Sequence, residues 1–301
     1  MKEFPFIKYS SIYYFIFIIV IGVSIFSLIF FGLKWGIEFT GGSKIEIEFL
    51  EKSPSVEEVR KILEDLNFEI VNLYSVGEKE MVLIGGEINE ELNQKILSKL
   101  NESFALQQKS FQYLGPSVGR ELRNKSQLAV LVALIAINLY IAFAFRKVSR
   151  PVHSWKYGVI SLIALFHDVI VSLGALSLLG RFYNVEVTVP IIAGLLVVLG
   201  FSVHDTIIIF DRIRENLLRY EKVEFEDIVN QSLNQTLGRS LTTVLTTLFP
   251  LFTIYFWGGE TLKYFSLILI IGIIAGSYSS IFIAAPLLVT WYRFSQQRQK
   301  R

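Results

Sequence analysis

Two aspartates, two histidines and an arginine stand inside or at the edge of long apolar runs in this sequence, where ionisable groups are costly and tend to carry function. Asp168 follows His167 in the run FHDVIVSLG, and Asp205 follows His204 in GFSVHDTIIIFDRIREN. An aspartate at the centre of a lipid-facing helix costs about 2.5 to 3.5 kcal/mol, so each needs a partner or water. Arg239 opens the run Ser240–Trp257 and is followed by Thr242, Thr243, Thr246 and Thr247. Asp205 precedes Asp211 by about 9 Å at helical rise, which puts Asp205 and Arg239 at comparable depth and lets them pair across two helices. A guanidinium that approaches and leaves a desolvated carboxylate releases and reloads its proton. The candidate proton pathway is therefore Asp205, Arg239 and Asp168, with His204, His167 and Thr243 as candidate relays. Plainer roles stand beside it: Arg239 as an interfacial anchor, Asp205 satisfying nearby backbone, Asp168 packing helices. Two histidines on different helices, each beside one aspartate, make a weak metal set, and no metal site is expected.

The elements that must position these groups are membrane helices. The chain is 52% hydrophobic and only 19% charged, with mean hydropathy +0.49, too apolar for a water-soluble protein of 301 residues. Six stretches reach the roughly 20 apolar residues that cross a hydrocarbon core. They are Ile12–Leu33, Ser126–Phe145, Tyr157–Leu179, Val187–Phe210, Ser240–Trp257 and Phe265–Tyr292. The first is longer than a signal-peptide core and lacks a small-residue cleavage site, so it reads as a retained anchor. Fifteen Lys and Arg residues fall on one side: Lys2, Lys8, Arg146, Lys147, Arg150, Lys156, Arg212, Arg214, Arg219, Lys222, Arg239, Arg293, Arg298, Lys300 and Arg301. The opposite short loops hold two, Arg181 and Lys263. By the positive-inside rule both termini are cytoplasmic and residues about 34–125 are extracytoplasmic. The net charge of +2 gives no reason to expect nucleic-acid binding, and the absence of cysteine excludes disulfide and thiol chemistry.

Between the first two spans the periodicity becomes that of a soluble domain. Ile45, Ile47 and Phe49 alternate with charged residues as in a half-buried strand, and Ser55 with Glu58 forms a capping-box pattern ahead of Val56, Val59, Ile62, Leu63 and Leu66. Phe68–Tyr74 and Met81–Ile84 read as a hairpin about Gly77. A second helix carries Leu92, Ile96, Leu100 and Phe104, and Phe111–Leu114 closes a fourth strand. The order β-α-β-β-α-β is that of a ferredoxin-like unit, a fold that specifies no activity. The expected organisation is residues 1–33 as cytoplasmic tail and first span, 34–125 as this domain, 126–292 as five further spans, and 293–301 as a cytoplasmic tail. Phe225, Ile228, Val229 and Leu233 recur at helical spacing, and residues about 211–237 read as an amphipathic segment lying along the membrane. Asp211, Arg212, Arg214 and Glu215 read as a solvated, salt-bridged turn. Gly272, Gly276, Ser280 and Ala284 form a small-residue stripe suited to close helix packing within the chain, and Pro250 should kink the fifth span.

Several segments carry a family resemblance, in order along the chain. GIEFTGG, with Gly36, Glu38, Gly41 and Gly42, resembles the F-G-x-D-F-x-G-G signature of the SecD and SecF family of bacterial protein-export membrane proteins, with Glu38 where Asp is usual. LGPSVGREL, with Gly115 and Pro116, resembles the G-P-x-V-G segment that leads that family into its second span. The run from Gly200 through Asp211, Arg212, Arg214, Glu215 and Asn216 is similar to the family motif G-Y-S-x-N-D-T-V-V-x-x-D-R-I-R-E-N, with His204 replacing the usual Asn. SLNQTLGRSLTTVLTT resembles the opening of the fifth span. The length fits the SecF members, since SecD members are longer.

The resemblance implies a non-enzymatic subunit of the cytoplasmic membrane that pairs with SecD and associates with the SecYEG channel, with YajC and YidC as further partners. It implies that exported polypeptide chains are pulled or released on the outer side after ATP-driven pushing. Proton flow down the transmembrane gradient would drive the motion, without a bound cofactor. The matching Asp and Arg of relatives, here Asp205 and Arg239, are implicated in proton passage. Half of a small-molecule or lipid exporter of the related RND superfamily is the alternative, and a passive scaffold would have no use for Asp205 and Arg239. No G-x-x-x-x-G-K-[ST] loop occurs, which argues against ATPase activity. The orientation is directly testable because the chain has no cysteine of its own. A cysteine introduced at Ser75 should react in intact cells with a membrane-impermeant thiol reagent, and labelling only after lysis would reverse the assigned topology.

Overall fold

The computed structural model describes residues 4–66, 69–144, 152–220 and 222–299. Lys2, Arg146, Lys147, Arg150, Lys300 and Arg301 of the basic set lie outside the described residues, as do Phe68 and Phe145. The chain divides into two compact units, one of Trp35–Leu128 and the other of the remaining chain.

In the smaller unit a short helix α2 (Ile37–Thr40), numbered after the first long helix α1 (Ser10–Phe31), leads into β1 (Gly42–Phe49). Helix α3 (Val56–Leu63), strands β2 (Ile70–Val76) and β3 (Glu80–Gly85), helix α4 (Glu90–Asn101) and strand β4 (Leu106–Leu114) follow. The sheet order is β2-β3-β1-β4 and every pairing is antiparallel, the arrangement of a ferredoxin-like unit. Ser55 accepts from the Glu58 N–H at 3.3 Å while the Glu58 carboxylate accepts from the Ser55 N–H at 2.9 Å, closing the capping box that starts α3. Gly77 turns the β2-β3 hairpin with φ 66°. Ile45, Ile47, Phe49, Met81 and Leu83 meet Val59, Leu63, Ile96 and Leu100 in one buried core. The last strand starts five residues before the expected Phe111, because Leu106–Ser110 pair with β1 across a bulge beside Glu46 and Ile47 that breaks the simple alternation.

The opposite sheet face is covered as well. Ile37 of α2 packs on Val82 and Ile84, which is why β3 is buried on both sides. The GIEFTGG and LGPSVG segments lock together at this place. A Cβ on Gly41 would stand 2.7 Å from the Pro116 Cα, and one on Gly119 would stand 2.8 Å from the Gly41 nitrogen. Gly41 and Gly42 also hold φ of 76° and 119°, in the region where side chains are strained. Pro116 begins the next helix, α5 (Pro116–Ala144), at the position that best tolerates proline.

In the larger unit α1 and α5 are joined by α6 (Ser154–Tyr183), α7 (Val189–Arg219), α8 (Phe225–Trp257), α9 (Glu260–Ser279) and α10 (Ala285–Gln299). A single π-helical turn, Ser280–Ala284, connects α9 to α10, so the two act as one span. Among the described residues six helices are long and apolar enough to cross a membrane. Backbone polar groups inside hydrocarbon must be satisfied within the segment, which is why these runs are helical. Helix α1 presents much of its apolar surface outward, with Ile29 73% and Phe15 65% exposed, as a lipid-facing helix does. The centre is α6, α7 and α9, whose contacts dominate the bundle. The expected small-residue stripe lies at this centre: a Cβ on Gly272 would meet Val198 at 2.4 Å, and one on Gly276 would meet Ser202 at 3.0 Å. Close approach of α9 to α7 requires both glycines.

Two expectations are corrected. Residues about 211–237 do not form a segment lying along the membrane: α7 continues unbroken to Arg219, and α8 begins at Phe225, fifteen residues before the expected span. Phe225, Val229 and Leu233 are buried in the bundle core with Phe210, Ile213 and Leu288. An apolar stripe of period 3.6 suits a membrane surface and a bundle interior equally, and here the bundle supplies the partner. Asp211, Arg212, Arg214 and Glu215 therefore lie on a helix rather than a turn, paired at i,i+3 as Arg214–Asp211 at 2.7 Å and Arg212–Glu215 at 2.6 Å.

The glycine contacts yield a graded prediction. Gly42→Ala and Gly119→Ala should each destabilise the smaller unit by about 1–3 kcal/mol, the usual cost of a strained or overpacked backbone site. Gly115→Ala should be tolerated, since nothing approaches its Cβ position closer than 3.9 Å. Limited proteolysis of the full-length variants in detergent checks the ranking, and equal resistance in all three would refute it.

Candidate functional site

Asp168 sits where α6, α7 and α9 meet and is completely buried, with His167 1% exposed beside it. The His167 Nδ1 lies 2.8 Å from Asp168 Oδ1. The Ser279 hydroxyl donates to Oδ2 at 2.9 Å, and the Ser202 hydroxyl donates to the same oxygen. Ser172 donates to the Asp168 carbonyl at 2.8 Å. The carboxyl group thus has partners from three helices, as a polar group in a protein interior needs. One turn along α7, Thr206 and Ser280 share a hydrogen bond of 2.8 Å, and both hydroxyls lie on the Ser202 carbonyl, at 3.2 and 3.4 Å. Ser279 and Ser280 bracket the start of the π-helical turn, a feature often found where a helix does functional work. His167 stacks on Phe17 of α1 with ring centroids 4.8 Å apart, and its buried Nε2 has no hydrogen-bond partner among the described residues.

Asp205 has the opposite surroundings. It is equally buried, yet among the described residues neither carboxylate oxygen has a hydrogen-bond partner of ordinary geometry. Ser277 faces it without closing a bond of ordinary geometry. The expected Asp205–Arg239 pair is not formed: among the described residues no ion pair joins them, and Arg239 is exposed on α8. Similar depth on neighbouring helices did not ensure a shared face, because Asp205 turns inward and Arg239 outward. His204 is exposed too, as are Thr242 and Thr246, while Thr243 is half-buried. The threonine hydroxyls donate back along their own helix, Thr243 to the Arg239 carbonyl at 3.0 Å and Thr247 to the Thr243 carbonyl at 2.9 Å. Arg239 and Trp257 are about 27 Å apart along the helix, nearly the thickness of a hydrocarbon core. The packed pair α7 and α8 therefore presents a histidine, an arginine and several hydroxyls that this chain leaves uncovered.

The remaining motif residues are structural. Asn216 is buried and donates to the Ser232 hydroxyl and the Gln235 side-chain oxygen, both at 2.8 Å, while Arg212 donates to Gln235 at 2.6 Å. They tie the end of α7 to the start of α8. Gly36 caps α2 with extended backbone, Glu38 lies in its first turn, and Gly200 faces outward on α7. Sequence reasoning missed Ser172, Ser202, Thr206 and Ser279 and read Ser280 only as small. Their signal was a set of hydroxyls inside apolar runs, which cannot be told from small packing residues until the helices are docked. Among the described residues no three His, Asp or Glu side chains converge as a metal site would require.

Comparison with known proteins places this geometry in context. The family model described as protein export membrane protein SecD/SecF, C-terminal, matches residues 92–294, and the SecD/SecF GG motif matches residues 26–49. The chain is 42% identical to the protein translocase subunit SecF of Thermobaculum terrenum, over 95% of this chain and 93% of that protein. It is 38% identical to SecF of Anaerolinea thermophila, over 87% and 85% of the two chains, and 35% identical to SecF of Vibrio alginolyticus, over 95% and 89%. Among solved structures, SecDF from Thermus thermophilus, a translocon-associated membrane protein, superposes with TM-score 0.84 at 32% identity over 97% of this chain. This chain spans 39% of that longer one.

Proposed function

The chain belongs to the SecD/SecF family of protein-export membrane proteins, as a multi-pass protein of SecF type, and we propose that with a SecD partner it couples proton flow to late steps of protein export. The observation that carries this reading is the Asp205 carboxylate, buried in a membrane-spanning helix with no hydrogen bond of ordinary geometry among the described residues. A buried acid that a structural role would have satisfied is left free for a proton. The uncovered face of α7 and α8 supports the second half of the reading. His204, Arg239, Thr242 and Thr246 would be expensive against lipid, so a second membrane subunit covers them. SecD is the natural occupant, since the solved SecDF chain that resembles this one is more than twice as long. In that assembly Arg239 reaches the proton path from the interface rather than through a preformed pair. Association with SecYEG, YajC and YidC, action on exported chains after ATP-driven pushing, cytoplasmic termini and an extracytoplasmic sheet domain complete the proposal, with no bound cofactor.

Export driven by a proton gradient in vesicles holding this chain with SecD is the test. Asp205→Asn keeps the shape and removes the titration, and it should lower gradient-dependent export at least about tenfold while insertion and SecD binding persist. Full activity in that variant would remove Asp205 as the carrier. Arg239 separates two roles. An interfacial anchor accepts Lys, whereas a group that acts on a carboxylate through a planar five-donor guanidinium does not. Arg239→Lys should lose about threefold and Arg239→Ala about tenfold at equal membrane levels, and wild-type rates in both would leave Arg239 an anchor.

A further inference from the structure

Two aspartates lie buried in this bundle, and the structure treats them differently. Among the described residues Asp205 has only Ser277 beside its carboxylate, without a bond of ordinary geometry, whereas Asp168 has a histidine on one oxygen and two serine donors on the other. The three partners lie on α6, α7 and α9, so one carboxylate joins the bundle's central helices. The contacts continue without a gap toward the turn that bears Asp205. Ser202, which donates to Asp168, stands three residues before Asp205, and its carbonyl meets the hydroxyls of Thr206 and Ser280. Glycine at position 276 favours the close approach, since a Cβ there would stand 3.0 Å from the Ser202 Cβ.

We infer that Asp168 is a positioning residue rather than a proton carrier: it clamps Ser202 of α7 and Ser279 of α9, and thereby fixes the register at which Asp205 faces the bundle. Its effect on export rests on Asp205 being the carrier, but the clamp is a statement about helix register and holds without it. A carrier must release and regain partners as its charge changes. Asp168 has both carboxylate oxygens engaged from fixed helices, and rearranging it would unseat the start of the π-helical turn along with it. The clamp needs an acceptor at this place and does not need titration. Asparagine, which keeps one carbonyl oxygen, should therefore preserve much of what alanine destroys.

Two measurements decide it, both on the full chain. For the first, Thr206→Cys with Ser280→Cys places two thiols where the hydroxyl oxygens are 2.8 Å apart, in a chain with no other cysteine. The rate of disulfide formation between them reports the α7–α9 register and does not involve export. Adding Asp168→Ala or Ser279→Ala should slow it about fivefold or more, and Asp168→Asn should slow it less than twofold. Should alanine at 168 abolish folding, Ser279→Ala carries the arm alone. Unchanged rates with alanine would overturn the clamp. For the second, gradient-driven export with SecD should fall about threefold in Asp168→Asn and at least tenfold in Asp168→Ala. Export in Asp168→Asn as low as in Asp205→Asn, at equal membrane levels, would make Asp168 a carrier and end the inference. If instead Asp205→Asn exports normally, the carrier assignment falls, and the disulfide rates still decide the clamp.

Discussion

A hydrocarbon environment offers no hydrogen bond to a polar group, and the architecture of this protein follows from that constraint. It makes every long apolar run helical, because only a helix satisfies its own backbone. It also obliges each intramembrane side chain that is polar to find partners inside the chain or on another subunit. Asp168 meets this requirement with donors from three helices, and that demand in turn dictates glycine at 276, serine at 202 and 279, and the tight docking of α9 on α6 and α7. Elsewhere in the bundle the same demand is met by hydroxyls that donate back to their own helix, as Thr236 does to the Ser232 carbonyl at 2.9 Å.

Against that background, the groups that do not meet the requirement are informative. Among the described residues the Asp205 carboxylate has no hydrogen bond of ordinary geometry, and His204 and Arg239 are exposed. Native interiors rarely leave a buried polar group unpaired without a reason. Here the unpaired acid lies on α7, and the exposed His204 and Arg239 lie on α7 and α8. The π-helical turn in the last span lies beside the same region, at Ser280–Ala284, and at its start two consecutive serines contact Asp168 and Thr206.

The sheet domain obeys different rules, since water is its solvent. It builds its core by alternation on β1 and by the apolar faces of α3 and α4. Both chain connections to this unit carry glycine motifs, and they interlock through backbone contacts that admit no Cβ. The entering and leaving segments are thereby held against each other within the unit, with Trp35 on the entering side under the Arg123 guanidinium of α5 at 5.4 Å.

How much of this was legible beforehand depended on the range of the interaction. The six spans, the capping box of α3, the Gly77 hairpin and the β-α-β-β-α-β order are set by residues within a few positions of one another, and local spacing in the sequence was enough to find them. The identity of the ionisable residues was equally plain, because an acid in an apolar run is conspicuous. What local spacing does not contain is the rotation of one helix against another. Asp205 and Arg239 stand at matching depth, yet about 100° of rotation per residue decides whether they meet, and here they do not. The same rotation turned Phe225, Val229 and Leu233 into the bundle instead of along a membrane surface, and it brought Ser202 and Ser279 onto Asp168 from helices distant in sequence. Residue chemistry and the number of apolar spans were therefore properties of the sequence alone, while the extent of α7 and α8 and which polar group is satisfied were decided only when the helices packed.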